Sequence, residues 1–289
     1  MGDLLLPFQL PFMQAAFAVA VLTAVPMAML SCFLVLRGWA LMGDAISHAV
    51  LPGVILSYLA GLPIAVGAFA AGFLCAAATG WLRDQSRIKE DTAMGVVFSG
   101  LFGLGLVLYA SVPTTLHLSH LLFGDMLGVT WGDVGWAGLA GAVVVAALLV
   151  WRADLVAQIF DAGHARAIGL PVRALHYGLL ALVALAVVGA LQAVGIILAV
   201  ALLITPGATA FLWARRFGAM LAVAAALGLG AAVLGVYASF WLDSAPAPTV
   251  VLVLTLAFAL SLVRERLVAR RLRGRAAAGA STGGHSITR

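Results

Sequence analysis

Long apolar stretches fill most of this sequence and leave room for little else. Of its 289 residues, 64% are hydrophobic and only 9% are charged, a balance that a water-soluble domain cannot carry without exposing large apolar patches. A helix needs roughly 20 mostly apolar residues to cross a hydrocarbon core about 30 Å thick, so the chain has room for about eight to ten crossings. We therefore predict an integral membrane protein whose solvent is lipid.

The apolar stretches predict an all-α fold, a polytopic membrane bundle of about nine (eight to nine) transmembrane helices. Their predicted bounds are 13–36, 40–60, 63–82, 93–112, 134–151, 175–191, 193–214, 217–242 and 249–263. We expect one membrane domain over residues 1–275. Residues 276–289 are rich in Gly, Ala, Ser and Thr, which predicts a disordered tail.

Basic residues occur in every second gap between the stretches, and the other gaps contain no Lys or Arg. By the positive-inside rule, the basic gaps face the cytoplasm, so the amino terminus lies outside and the carboxyl terminus inside. The net charge of +5 is scattered over these short gaps and forms no continuous surface for nucleic acid. Cys32 and Cys75 lie in apolar stretches, which argues against a disulfide or a zinc ribbon.

Two gaps are too long to be simple turns. The outer gap at 113–133 contains His117, His120 and Asp125, which are candidate metal-receiving residues at the outer mouth or incidental loop residues, and a short interfacial or re-entrant helix is expected there. The inner gap at 152–173 has apolar residues at helical spacing and a Gly-Leu-Pro stop. It predicts one or two short helices along the membrane.

Asp44 and His48 are the only ionisable residues well inside a predicted span. Burying a charge in lipid costs a few kcal/mol or more, so such residues usually face the protein interior and mark an ion or substrate path. Residues four apart share one helix face, and an oxygen and nitrogen ligand set suits Mn²⁺, Fe²⁺ or Zn²⁺. The alternatives are an Asp–His hydrogen-bonded pair that locks helices together, or an Asp44 that only caps the helix.

Two Pro-Gly pairs fall within spans: Pro52-Gly53 directly after His48, and Pro206-Gly207 in the seventh stretch. Proline frees a backbone carbonyl one turn earlier, and irregular backbone at membrane depth is tolerated where protein or a water-filled cavity covers it. In transporters such breaks often flank the substrate site. An ordinary proline kink is the alternative at Pro206.

No nucleotide-binding loop is present. Lys89 is the sole lysine and follows no glycine-rich segment, so the GxxxxGK[ST] motif is absent and the chain cannot itself be an ATPase. Energy must come from a partner or an ion gradient. Glu90 and Asp91, next to Lys89, either attract an exiting cation or form a solvated turn.

Five segments together resemble the permease subunits of the manganese, zinc and iron ABC importers, the ABC-3 family. They are LRGWALMGDAISHAVLPGV, KEDTAMGVVFSG, LLFGDMLGV, FDAGHARAIGLPV and QAVGIILAVALLITPGATA, in order over residues 37–216. The resemblance implies a type II importer-like permease: a homodimer in the bacterial inner membrane, with two cytoplasmic ATPase subunits and an extracytoplasmic metal-binding protein. It implies a transporter and not an enzyme, with Zn²⁺ or Mn²⁺ bound transiently and no permanent cofactor.

Two sets of residues carry over from the family. The acid and histidine that line its metal path map onto Asp44 and His48. The family's ATPase-coupling region matches the inner gap at 152–173, with the candidate residues Phe160, Asp161, Ala165, Gly169, Leu170 and Pro171. Family members usually have Pro-Glu after the FD pair, whereas Ala162-Gly163 follows here.

The first functional hypothesis is import of a divalent transition metal, Zn²⁺ or Mn²⁺ with Fe²⁺ as a third candidate. The ion passes the outer loops, meets Asp44 and His48 of each protomer near mid-membrane, and enters the cytoplasm. A metal chelate such as a siderophore or cobalamin is a second cargo, although it needs a wider polar cavity. An intramembrane metalloenzyme needs at least a third ligand, and a secondary transporter is a fourth reading.

Overall fold

The computed structural model of the chain describes residues 6–112 and 124–282, and over these ranges the regular structure is helical. The helices are α1 (Leu6–Gln9), α2 (Pro11–Arg37), α3 (Met42–Ala49), α4 (Leu51–Leu59), α5 (Ile64–Gln85), α6 (Glu90–Ser111), α7 (Trp131–Val150), α8 (Arg152–Phe160), α9 (Ala162–Ala167), α10 (Val172–Trp213), α11 (Phe217–Trp241) and α12 (Pro246–Thr282).

Nine segments of the described residues are long and apolar enough to cross a membrane, which confirms the predicted helical bundle. Helices α3 and α4 together form one crossing, and α10 contains two. The segments are Pro11–Arg37, Met42–Leu59, Ile64–Arg83, Asp91–Ser111, Trp131–Val150, Val172–Leu191, Ala193–Trp213, Phe217–Trp241 and Pro246–Val268. Their ends lie close to the predicted ones, and the largest difference is the end of the last segment, at Val268 instead of residue 263.

Helix α2 lies at the centre of the bundle. In its most apolar window 72% of the residues are buried, against 17% for the crossing in α6. Small residues allow the neighbouring helices to approach α2 closely, as is common in membrane bundles. A Cβ added at Gly207 of α10 would lie 2.5 Å from the carbonyl carbon of Ser31 in α2, and one at Gly228 of α11 would lie 2.8 Å from Ala28 Cβ. Helix α6 therefore lies at the periphery.

The long helix α10 is interrupted at Gly195, where φ is 75° and ψ is 172°, a conformation that only glycine adopts readily. This residue lies near the start of the second crossing of α10, which begins at Ala193. The chain before α7 packs over it, since a Cβ at Gly124 would lie 2.5 Å from the Gly195 nitrogen.

The interruption predicted at Pro206-Gly207 is wrong, because the backbone stays helical through Pro206. A proline inside a helix removes one backbone hydrogen bond and usually kinks the axis, but it need not end the helix when neighbouring helices support the segment. Here Gly207 is in tight contact with Ser31 of α2. The Pro-Gly pair therefore serves helix packing at this point.

Helix α12 extends beyond its membrane crossing to Thr282. Its helical backbone includes residues 276–282, for which the composition predicts disorder. Three consecutive alanines at 276–278 favour a helix, because alanine has the highest intrinsic helix propensity. The remaining residues of the predicted tail lie outside the described part of the chain, and the domain boundary at 275 stays a prediction.

Candidate functional site

A tight turn after α2 sets the start of the helix that carries Asp44 and His48. Gly38 adopts a left-handed conformation with φ 78°, and its N–H donates to carbonyls at the end of α2. Trp39 follows, only 1% exposed. The Arg37 guanidinium lies 5.0 Å from the centre of the Trp39 ring, and the ring of His176 from α10 meets the indole edge-on at 5.2 Å. The start of α3 is thus anchored between α2 and α10.

Asp44 and His48 converge one turn apart in α3. His48 Nε2 lies 3.5 Å from Asp44 Oδ1, longer than the 2.7–3.2 Å of an ordinary N–H···O hydrogen bond. Two ligand atoms each about 2.1 Å from a tetrahedral ion are separated by about 3.4 Å. Asp44 lies in the first turn of α3, but no side-chain capping bond is formed there. The separation is therefore compatible with two ligands of one cation, and neither a short Asp–His hydrogen bond nor a side-chain cap is formed.

The pair is half-exposed at the surface of a single chain. The side chain of Asp44 is 41% exposed and that of His48 is 28% exposed. The rings of Phe98 and Phe102 in α6 lie 6.2 and 5.3 Å from the imidazole. Because ionisable groups facing lipid are costly, this face must be covered by protein or open to a water-filled path.

Sequence reasoning missed the two phenylalanines beside His48. They are four residues apart in α6 and so lie on one helix face, and their position next to the imidazole depends on how α6 packs against α3. The imidazole Nδ1 is buried and has no hydrogen-bond partner among the described residues. The aromatic wall therefore leaves Nε2, the atom that faces Asp44, as the exposed ligand atom.

No third ligand from the same chain joins this pair within the described residues, where no group of three His, Cys, Asp or Glu could hold a metal. His117 and His120 lie outside the described residues. Asp125 lies in the turn before α7, where its Oδ1 accepts a hydrogen bond from the Gly128 N–H at 3.0 Å. It borders a cavity of about 280 Å³ at the end of the bundle where Gly124 packs on Gly195.

The helix boundary after the pair falls at Val50, two residues before Pro52. Val50 keeps right-handed helical angles, φ −65° and ψ −26°, so the chain continues into α4 with little change of direction. Pro52 cannot donate a hydrogen bond to the His48 carbonyl one turn earlier. Gly53 packs directly against the backbone of α5, where a Cβ would overlap the carbonyl oxygen of Gly67.

The inner gap forms two short helices, α8 and α9, as the spacing predicts. Asp161 begins α9, and its carboxylate accepts a hydrogen bond from the His164 N–H at 2.8 Å. Ala165 is fully buried. Gly169, with φ 85°, ends the turn, and the Leu170 N–H donates to the Ala165 carbonyl at 3.0 Å. These bonds give the segment a fixed shape.

Two apolar side chains of this segment are exposed: Phe160 is 70% and Ile168 is 57% exposed. The segment is held to α10, where Pro171 is the residue before the helix, by the buried Gln158, whose Nε2 donates to the Val172 carbonyl at 3.1 Å. Sequence reasoning identified Phe160 but missed Ile168 and Gln158. A buried glutamine cannot be recognised from periodicity alone, because polar residues in an amphipathic helix are expected to face water.

Comparison with known proteins identifies the family of this chain. Residues 9–265 match the ABC 3 transport family. A chelated iron transport system membrane protein of Yersinia pestis, YfeD, is 50% identical over 261 residues, 90% of this chain and 88% of that protein. The manganese transport system membrane protein MntB of Synechocystis is 41% identical over 257 residues, covering 89% of this chain and 84% of its own.

A solved structure of PsaBC from Streptococcus pneumoniae in complex with Fab superimposes with a TM-score of 0.81 at 37% identity, covering 90% of this chain and 94% of that one. The match and the nine crossings confirm the family resemblance predicted from the five sequence segments. The chain belongs to the ABC 3 transport family.

Proposed function

We propose that this chain is the membrane-spanning subunit of an ABC importer that carries a divalent transition metal ion into the bacterial cytoplasm, with Asp44 and His48 as ligands on the path. The single observation that carries the proposal is the 3.5 Å approach of Asp44 Oδ1 to His48 Nε2 on a half-exposed helix face. Membership of a transport family supports the role of transporter subunit, as opposed to enzyme.

A pair of ligands suits a transport path better than a storage site. One carboxylate and one imidazole hold a cation while leaving coordination positions for water or for further ligands. An ion held this way can leave by ligand exchange, with no covalent bond broken. The intramembrane metalloenzyme is the weaker reading, because the described residues offer no third ligand.

We further propose that a second copy of the chain completes the site. An ionisable pair with 41% and 28% of its side chains exposed needs a cover within the membrane, and a two-fold axis beside α3 and α6 would bring an identical pair to face it. Two carboxylates and two imidazoles then surround the ion. The mass of the purified permease, measured by light scattering with the detergent contribution subtracted, distinguishes a homodimer from a single chain.

We infer the other partners from the missing nucleotide-binding loop and from the exposed apolar side chains of the inner segment. The sequence has no nucleotide-binding loop, so two ATPase subunits supply the energy. Their proposed contact is formed by two exposed side chains, Phe160 at the end of α8 and Ile168 directly after α9. An extracytoplasmic protein delivers the metal on the opposite face. This arrangement assumes the orientation given by the positive-inside rule, with the amino terminus outside.

Two ligands do not select the metal. Zn²⁺ binds most nitrogen and oxygen sites more tightly than Mn²⁺ or Fe²⁺, so selection depends on coordination geometry and on the delivery protein. We place free Mn²⁺ and Fe²⁺ alongside Zn²⁺ as cargo. One relative is named for manganese and another for chelated iron, and a chelate is therefore included as a competitor in the transport assay.

The proposal is tested by uptake of isotopic Mn²⁺, Fe²⁺ and Zn²⁺ into proteoliposomes that contain the permease, its ATPase and the delivery protein. Asp44→Asn replaces the carboxylate by a neutral amide and His48→Gln removes the imidazole nitrogen, both at similar size, and we expect at least a ~10-fold loss of uptake. Asp243→Asn is the matched control, because it removes the same charge from a loop outside the spans. Full uptake by both site variants would refute the assignment, and uptake without ATP would indicate a secondary transporter.

A further inference from the structure

An arginine-lined cavity lies at the end of the bundle where α2 and α5 finish and α10 begins. Its volume is about 860 Å³, within the range of roughly 300–1,000 Å³ typical of ligand pockets. Four arginines line it: Arg37, Arg83, Arg166 and Arg173. None of the described residues that line it is acidic, and two of the arginines, Arg166 and Arg173, are exposed to an incoming anion.

The fold brings these arginines together from four separate elements. Arg37 lies in the last turn of α2 and Arg83 near the end of α5, whereas Arg166 is near the end of α9 and Arg173 is the second residue of α10. A cation at the start of a helix gains nothing from the helix dipole, whose positive end is there. Arg173 and the positive end of the α10 dipole instead add to the attraction for an anion.

The side chains are held in different ways. Arg37 is half-buried, with its guanidinium over the Trp39 ring at 5.0 Å, and Arg83 is half-buried as well. Arg166 and Arg173 are exposed at the mouth. The cavity therefore has two half-buried arginines on its inner wall and two exposed arginines at its entrance. Guanidinium groups bind phosphate oxygens with paired hydrogen bonds.

We propose that this cavity binds the phosphate groups of an anionic phospholipid from the cytoplasmic leaflet. Arg37, Arg83 and Arg173 lie at the ends of membrane-crossing helices, which is the level of the lipid headgroups. Trp81, two residues before Arg83, is 60% exposed, and tryptophan is enriched at this interface. Basic pockets between helices on the cytoplasmic side are suited to phosphate-bearing headgroups. The proposal depends on the orientation given above but not on the metal site.

The test uses the purified full-length permease in nanodiscs of phosphatidylcholine alone or with phosphatidylglycerol or cardiolipin, with retained lipid counted by native mass spectrometry. Arg166→Gln/Arg173→Gln removes the two entrance charges. We expect its affinity for the anionic lipids to fall about 30-fold. Arg152→Gln/Arg216→Gln is the control, because it removes two exposed arginines that belong to the same set of basic gaps but do not line the cavity.

Retention of anionic lipid by the wild type and the control, but not by the glutamine variant, supports the proposal. Arg166→Lys/Arg173→Lys should then recover much of the binding, which separates lost charge from lost structure. Equal retention by all variants overturns the proposal. So does displacement of the signal by millimolar inorganic phosphate or ATP with no lipid retained, because it identifies a soluble phosphate as the occupant. Variants of Asp44 and His48 should keep full lipid binding, so this test can fail while the metal proposal stands.

Discussion

Gly53 lies at a close contact between α4 and α5, and enlarging it should disturb the crossing in which α4 follows the helix that carries the metal ligands. A Cβ at this position would overlap the Gly67 carbonyl oxygen and lie 2.6 Å from Ala71 Cβ, where ordinary contact begins at 3.4 Å. The two helices must separate by about 0.8 Å or more to admit one methyl group. Overpacking of this kind costs typically about 1–3 kcal/mol, so Gly53→Ala should lower the thermal midpoint by about 2–12 °C.

The two native cysteines provide the assay. Cys32 and Cys75 are fully buried, so a fluorogenic maleimide reacts with them only as the protein unfolds. Gly103→Ala in α6 is the control, because nothing lies within 4 Å of the added Cβ, and alanine is the better helix former by about 1 kcal/mol. If Gly53→Ala melts at the same temperature as Gly103→Ala or above it, the close packing of α4 on α5 is not what requires glycine.

Three further results are expected. Cysteines placed at the exposed Leu62 and Ile88 should react with a membrane-impermeant maleimide from opposite sides, outside for Leu62→Cys and inside for Ile88→Cys; labelling of both from one side would contradict the topology. Thr130→Ala removes the capping box in which Thr130 and Asp133 bond each other's backbone N–H groups. It should destabilise the start of α7 by about 1 kcal/mol, measured as faster amide hydrogen exchange in the first turn of α7, and unchanged exchange would contradict this. Gln158→Leu removes the bond to the Val172 carbonyl and should cost about 1 kcal/mol, seen as a lower melting temperature, whereas an unchanged midpoint would mean that the bond adds nothing.

Most of the fold could be predicted from the sequence, because lipid imposes a simple rule. Each crossing must satisfy its own backbone hydrogen bonds within an apolar helix of nearly fixed length, so hydropathy alone gives the spans. The start of α7 is three residues earlier than predicted because the Thr130–Asp133 capping box fixes it. Such a cap depends on polar side chains that a hydropathy reading discards.

The break in α10 shows where sequence reasoning fails. Pro206 is the stronger helix breaker on intrinsic preference, yet the backbone turns at Gly195 and continues through Pro206. Glycine permits a turn without requiring it, and many of the 32 glycines lie in regular helices. Only the packing of Gly124 against Gly195 identifies Gly195 as the glycine at which α10 is interrupted.

At the candidate site, sequence spacing predicted that Asp44 and His48 share a face, because residues four apart in a helix must do so. The aromatic neighbours Phe98 and Phe102 could not be predicted, since they come from a helix some fifty residues away in the chain. The arginine-lined cavity could not be predicted from the sequence either. Its four charges appear in the sequence as separate topology signals, and only the packing of α2, α5, α9 and α10 joins them.

The interruption of α10 at Gly195 limits the footprint available to a delivery protein. The two crossings of α10 end at Leu191 and begin at Ala193, so α10 presents no loop on that side. The backbone around Gly124 packs over Gly195 and covers it at the surface. With the proposed orientation, a protein that docks from outside would touch the chain before α7 at this point, and α10, although it is the longest helix described, would offer mainly Ile197, which is 45% exposed and borders the same cavity as Gly124.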